Sequence, residues 1–377
     1  MTSKRNAGDI YRDIGVTPVI HAGGSSTASG GSKLRPEVME AMSEAATIMV
    51  RIQELNEAAG KVIAGITGAE AGFVSSGAAG GLVLQAAACI AGSDPAKMAQ
   101  LPDASGLKNE IVIHRMHRFS YDHCYRAAGA RFVEIGDGRQ CAAWELEAAF
   151  TERTAAVAYL FSPYLSRRAI PFREVCEMAH ARGVPVIVDA ASYLPPRANL
   201  RRFTAEGADM VIYSGGKGVR GPQGTGILCG RADLIEAAAA NASPNPFIGR
   251  GMKVAKEEIV GLIAALRVFV DEDEEAETKR YREMSQSVVD ALIEVPGLVL
   301  SVEHDEYDSL IPIASMKFTR AWRGPGPQEV LKAIGSGDPP IVLKSLGNPD
   351  TLSVDPFNLT EGELEVVIRR LHEVLLG

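Results

Sequence analysis

Met210-Val211-Ile212-Tyr213-Ser214-Gly215-Gly216-Lys217, followed by Gly221-Pro222-Gln223-Gly224, decides how this chain reads. The first four residues are continuously apolar, as in a strand covered on both faces. A glycine-rich turn follows and carries a lysine. At the carboxyl end of a buried strand a lysine adds little to packing, but it is well placed as a nucleophilic amine for a flat ligand. Taken alone, the turn reads equally as a surface loop bearing a lysine.

Asp189 changes that balance. It follows Val184-Pro185-Val186-Ile187-Val188, a second buried run, where a carboxylate needs a partner to offset desolvation. A protonated pyridine nitrogen is such a partner, so the lysine and the aspartate together point to pyridoxal 5′-phosphate. An aspartate capping the next helix is the plainer alternative. Ser75-Ser76-Gly77-Ala78-Ala79-Gly80-Gly81 opens an apolar, small-residue stretch to Ala91. That stretch predicts a buried helix whose N-terminal N–H groups suit a phosphate, with the Ser76 and Ser214 hydroxyls at hand. His114 and His117, after the apolar Ile111-Val112-Ile113, are candidates for a ring stacked on the cofactor. At i and i+3 they are also a possible metal pair, though no acidic partner lies close in sequence. Arg167-Arg168, Arg201-Arg202, Arg220 and Arg250 are candidates for bidentate binding of carboxylate or phosphate. Arg250 and Lys253 stand out because glycines flank them in Ile248-Gly249-Arg250-Gly251-Met252-Lys253.

Around these residues, apolar runs at 131–135, 155–161 and 226–229 alternate with amphipathic stretches such as 172–181. This predicts an α/β domain with a mostly parallel sheet, its functional residues at the carboxyl ends of the strands. Residues 36–51 have helical character. A long charged helix is expected from Glu257 through the acidic run 271–277, leading into a smaller C-terminal part. That part holds a strand at 311–318 and a last helix at 361–376, where Thr360 and Glu363 have capping-box spacing. The expected division is 1–55 as an N-terminal arm contributing to the small domain, 56–255 as the large cofactor domain, and 256–377 as the small α+β domain.

The chain has 377 residues and a formal net charge of −8, which speaks against broad electrostatic binding to nucleic acid or an anionic membrane. Five cysteines, an odd number without a C-x-x-C pair, read as reduced thiols rather than a disulfide framework or zinc site. No apolar N-terminal region or membrane-spanning run is visible, and the expected compartment is the cytoplasm.

The order Ser76-Gly77-Ala78, loop histidine, Asp189, Lys217 resembles the fold-type I pyridoxal-phosphate enzymes. Ser214 to Gly226, read as Ser-Gly-Gly-Lys-x-x-x-Gly-Pro-Gln-x-x-Gly, resembles the branch containing selenocysteine synthase. Ile248-Gly249-Arg250, Gly129, Val19 to Gly23, Gly30 to Ser32 and Leu352 to Pro356 extend the match over nearly the whole chain. Within the branch it is most similar to the D-glucosaminate-6-phosphate ammonia-lyase-like group. The resemblance implies a large domain with a mostly parallel sheet and a smaller α+β C-terminal domain. It implies that Lys217 anchors the cofactor and acts as base, and that Asp189 pairs with the ring nitrogen. His117 is the first choice to stack and His114 the second. Ser76, Gly77, Ala78 and Ser214 would hold the phosphate, with Ser192 counted among the cofactor residues and His21 and Arg250 among those for substrate. Homodimers or larger assemblies with interfacial sites are implied too. The chain departs from the pattern at His21, where relatives carry asparagine, and at Lys344, where an arginine is expected.

The expected activity is loss of ammonia from a small amino acid or amino sugar acid, by α-proton abstraction and β-elimination to a 2-oxo acid. Aldol cleavage, racemisation and transamination use the same residues. Transfer to aminoacyl-tRNA would need a basic surface that the net charge does not provide. A non-catalytic scaffold or sensor would not need both Lys217 and Asp189.

Overall fold

The computed structural model describes residues 8–162, 168–305, 309–345 and 348–377. They form two compact units. One is Gly30–Glu272; the other joins the residues before Gly30 to those after Glu272.

The unit Gly30–Glu272 is built on a seven-stranded sheet. Its order is Ala71–Ser76, Thr225–Gly230, Met210–Ser214, Val186–Asp189, Thr154–Leu160, Glu110–His114, Arg131–Ile135. Thr225–Gly230 runs antiparallel to both neighbours; the remaining pairs are parallel. The continuous apolar runs are explained directly, because the central strands are buried along their whole length.

The helix Gly77–Ala91 covers one face of this sheet. Small residues let it lie close, and it packs with Ile111, Ile113, Ala156, Ala158, Ile187, Met210, Ile212 and Leu228. These positions alternate along their strands, so Asp189 and Ser214, two residues beyond Ile187 and Ile212, belong to the same face. His114 is in phase with Val112 and belongs to the other.

The second unit has a three-stranded antiparallel sheet, Thr351–Val354, Ile313–Phe318, Leu298–Glu303, and a short parallel pair, Ile20–His21 with Ile341–Val342. Helices Glu274–Leu292, Pro327–Gly335 and Glu361–Leu376 complete its core. The last helix opens with the expected capping box: Thr360 N donates to Glu363 Oε2 at 2.9 Å and Glu363 N to Thr360 Oγ1 at 3.3 Å.

Three expectations change. The divisions fall at Gly30 and after Glu272 rather than at 55/56 and 255/256, because helix Pro36–Ala46 packs on helix Lys256–Asp271 within one unit. Arg35 ties the two ends of that pair to Glu272 at 2.5 Å. The 36–51 stretch is helical only to Ala46, and a separate helix, Ile52–Thr67, follows. The expected long charged helix is two helices. Asp273 caps the second by accepting from Glu275 N and Ala276 N, and the acidic residues after it sit in a first turn, where the helix dipole favours them.

Candidate active site

Three chain segments meet at the carboxyl edge of the large sheet, and their meeting is set by strand register. Asp189 pairs with Ile212 and with Leu160. Ser75 and Ser214 both pair with Gly226, one from each side. Gly224 O accepts from Gly77 N at 2.8 Å, and Thr225 O accepts from Gly215 N at 2.9 Å. The start of the Gly77–Ala91 helix and the lysine turn are therefore bound to one short stretch, Gly224–Gly226. A side chain at Gly226 would run into Gly77 O and the Ser75 hydroxyl.

Asp189 is 4% exposed. Its Oδ1 accepts from Ala191 N at 2.9 Å. Burial pushes its carboxyl up to about 6 from an ordinary 3.8, against the pull of that hydrogen bond and of the nearby Lys217 charge. Lys217, half-buried, donates from Nζ to Ser192 Oγ at 2.6 Å. Ser32 Oγ donates to the Lys217 carbonyl at 3.0 Å. The structure thus brings Lys217, Ser192 and Asp189 together, with Ser214 on the adjoining strand end.

Ser76 precedes the helix and caps none of its N–H groups with its side chain. Gly77 adopts φ +62, a left-handed conformation that favours glycine, and a Cβ there would meet open space. The N–H groups that begin a helix have no partner within it, and here Gly77 N is taken by the Gly224 carbonyl. Met252 Sδ lies 3.7 Å from where a Cβ of Gly80 would stand, so the segment bearing the exposed Arg250 passes over the first turn of this helix.

His114 and His117 are buried, at 0% and 2% exposure. Their rings lie 4.9 Å apart, and Tyr159 packs edge-on to His117 at 4.5 Å. His117 Nδ1 is 3.5 Å from Leu160 N, next to Asp189 in the ladder. Neither His114 nitrogen has a hydrogen-bond partner among the described residues. Burial lowers both pKa values from 6.5, to about 4 for His114 and about 3 for His117, so both rings are neutral near pH 7.

His21 belongs to the other unit. Its Nδ1 accepts from Gly23 N at 3.1 Å, and burial, with the Lys344 charge, lowers its pKa. His21 and Lys344, the two residues expected to depart from the family pattern, are therefore neighbours. Arg201 donates to the carbonyls of Ile66 and Gly65 at a helix end, and Arg202 pairs with Glu206, so both have structural work. Arg167 lies outside the described residues. Among the described residues no acidic, histidine and cysteine group could hold a metal, and no helix is long and apolar enough to cross a membrane.

One residue escapes a reading by motif. Gln85, 0% exposed, donates to Val188 O at 3.2 Å and faces the Tyr125 hydroxyl at 3.5 Å. It is the one polar side chain in Leu82 to Ala91, which was its visible signal.

The Aminotransferase class-V family profile matches residues 108–321. The chain belongs to this family. It is 33% identical to D-glucosaminate-6-phosphate ammonia lyase of Salmonella typhimurium over 97% of this chain and 98% of that one. A solved structure of D-glucosaminate-6-phosphate ammonia-lyase superposes with a TM-score of 0.86, covering 99% of both chains. The 5′-C-glycyluridine monooxygenase-decarboxylase of a Streptomyces species is 36% identical over 97% of this chain and 92% of that protein. L-seryl-tRNA(Sec) selenium transferase of Solidesulfovibrio magneticus is 26% identical over 64% of this chain and 57% of that protein. The selenocysteine synthase-like branch and the fold-type I architecture expected from the motifs both hold.

The buried aspartate bears on whether the site suits such a cofactor. A carboxylate raised to about 6 by burial lacks enough compensating charge. A protonated pyridine nitrogen is the kind of cation that would compensate it, so the residues present fit pyridoxal 5′-phosphate.

Proposed function

We propose that this chain is a pyridoxal 5′-phosphate-dependent lyase that removes ammonia from an amino acid bearing a hydroxylated, sugar-like side chain. The observation that carries the reading is that buried Asp189 feels the charge of Lys217, which lies beyond the end of the neighbouring strand. Asp189 would hold the ring nitrogen. Ser76, Gly77, Ala78 and Ser214 would hold the phosphate, and His117 would stack. When bound, the cofactor supplies an electron-withdrawing ring that stabilises negative charge at the substrate α-carbon.

The protein's own part follows from its atoms. Asp189 keeps a positive charge at the ring nitrogen. Lys217 Nζ takes the α-proton as general base. The β-hydroxyl then leaves as water with the proton that Lys217 Nζ had taken, and hydrolysis of the resulting enamine returns a 2-oxo acid and ammonia. Arg250, two residues before the Met252 that packs on the helix start, would meet an anionic group on the substrate. The substrate class is supported by the two near-full-length relatives, whose names describe an amino acid carried on a sugar carbon chain.

The higher identity to the monooxygenase-decarboxylase supports a second reading, oxidative decarboxylation of the same class of substrate. A homo-oligomer is also part of the proposal, supported by the exposed Met39, Ile48, Met49 and Val50.

The test begins with cofactor. Purified protein with pyridoxal 5′-phosphate should develop a visible absorption band and a borohydride-reducible bond, both lost in Lys217→Ala. A wild type that stays colourless would sink the reading. D-glucosaminate-6-phosphate should then yield ammonia and a 2-oxo acid without oxygen uptake. Oxygen uptake with carbon dioxide release on a glycyl nucleoside would favour the second reading.

A further inference from the structure

We infer that Ser192 is a positioning residue for Lys217: its hydroxyl fixes where the amine rests whenever that amine is not bonded to cofactor. The inference rests on the proposed cofactor reading, but its geometry is independent of any ligand.

The contact itself is close, 2.6 Å from Nζ to Oγ. What makes it more than a surface encounter is how firmly both partners are held. Ser192 sits in a turn whose backbone has little freedom. Ala191 N donates to Asp189 Oδ1 at 2.9 Å, and Tyr193 N to Ala190 O at 3.0 Å. Asn199 Nδ2 secures Tyr193 O at 2.9 Å. On the other side, Ser214 N reaches Ala191 O at 3.4 Å, and Gly218 lies so close to the Leu194 carbonyl that a Cβ would overlap it. Ser32 fixes the carbonyl of Lys217. The two turns lean on each other on both sides of the Lys217–Ser192 bond.

A lysine side chain has four rotatable bonds, so a hydrogen bond to its amine narrows the volume that the nitrogen can sweep. Reactive groups gain rate from being held in one place, and misplacement by about 1 Å can cost about a hundredfold. Because the turn that holds Ser192 also donates to Asp189, the resting place of the amine is set relative to the carboxylate. The hydroxyl also serves as a hydrogen-bond acceptor for the amine while the nitrogen carries a proton.

The experiment compares wild type, Ser192→Ala and Ser192→Thr, each checked for cooperative melting. Cofactor-free protein is mixed with pyridoxal 5′-phosphate, and growth of the visible band is timed, with borohydride trapping at the Lys217 peptide. Ser192→Ala should load about tenfold more slowly, and Ser192→Thr, which restores a hydroxyl, within about threefold of wild type. In turnover, Ser192→Ala should lower kcat with KM little changed. Loading of Ser192→Ala at the wild-type rate would overturn the inference while leaving the cofactor reading intact. If the wild type fails to colour, the cofactor reading fails instead, and Ser192 is judged on cofactor-free protein. There, trinitrobenzenesulfonate should label Lys217 at clearly different rates in wild type and Ser192→Ala. Equal rates would overturn the positioning role.

Discussion

Gln85 donates to the carbonyl of Val188, 3.2 Å away and 103 residues later in the chain. This bond joins the middle of the apolar helix to the strand end one residue before Asp189. Both groups are buried, so neither can turn to water if the other is lost.

Removing the amide should therefore destabilise the protein. Gln85→Leu leaves the Val188 carbonyl and the Tyr125 hydroxyl without this partner, at a cost of about 1–3 kcal/mol each for a buried unsatisfied group. Urea denaturation of the cofactor-free protein should show a lower midpoint with an unchanged slope.

Asp189→Asn should separate stability from function. The folded state raises this carboxyl from 3.8 to about 6, so it binds a proton more tightly than the unfolded chain does. The favourable contribution is complete below about pH 4 and lost as pH rises through about 6. Above that, the buried charge costs on the order of 3 kcal/mol. Cofactor-free Asp189→Asn should thus be more stable than wild type at pH 7.5, with the gap closing toward pH 4, while turnover falls by orders of magnitude. Melting curves across pH, set beside activity assays, would check both halves.

His114 should do the opposite. Its folded pKa is lowered from 6.5 to about 4, so the unfolded chain binds the proton more tightly. The neutral ring contributes fully above about pH 6.5, and that contribution is lost as pH falls through 4, by up to roughly 3 kcal/mol. His114→Phe removes a buried ring with two unpartnered nitrogens. Its stability should fall less between pH 7 and pH 4.5 than that of the wild type, as read by thermal melts at each pH.

Gly226→Ala should weaken cofactor binding without touching a cofactor-binding side chain. The new methyl group meets Gly77 O and Ser75 Oγ, so the helix start must shift. Overpacking of this kind costs about 1–3 kcal/mol. Equilibrium titration with pyridoxal 5′-phosphate should give a weaker dissociation constant than wild type.

Much of this was legible in the sequence. The parallel strands announce themselves because both faces are covered, and the helix Gly77–Ala91 because its small apolar residues have only one use. Lys217 and Asp189 stand out as charges in apolar company. What escaped was long-range. Residues 36–46 join the large unit through a helix more than two hundred positions away, and no local pattern encodes that partner. The break in the acidic run rests on Asp273 acting as a cap, which its two acidic successors masked. Gln85 is a lone polar residue in an apolar stretch, but its purpose depends on a carbonyl brought to it by the sheet. The seclusion of His114 also follows from pleat and register rather than from its neighbours in sequence.

The double pairing of Gly226, to Ser75 on one side and Ser214 on the other, has a practical corollary for building chimeras. Two neighbouring stretches, 214–217 and 224–226, and a third far upstream, 75–77, behave as one mechanical part. Exchanging the lysine loop alone with a relative would import a surface cut for a different helix start. A graft that carries all three stretches keeps the fit, and it defines the smallest cassette that can be moved between members of this family.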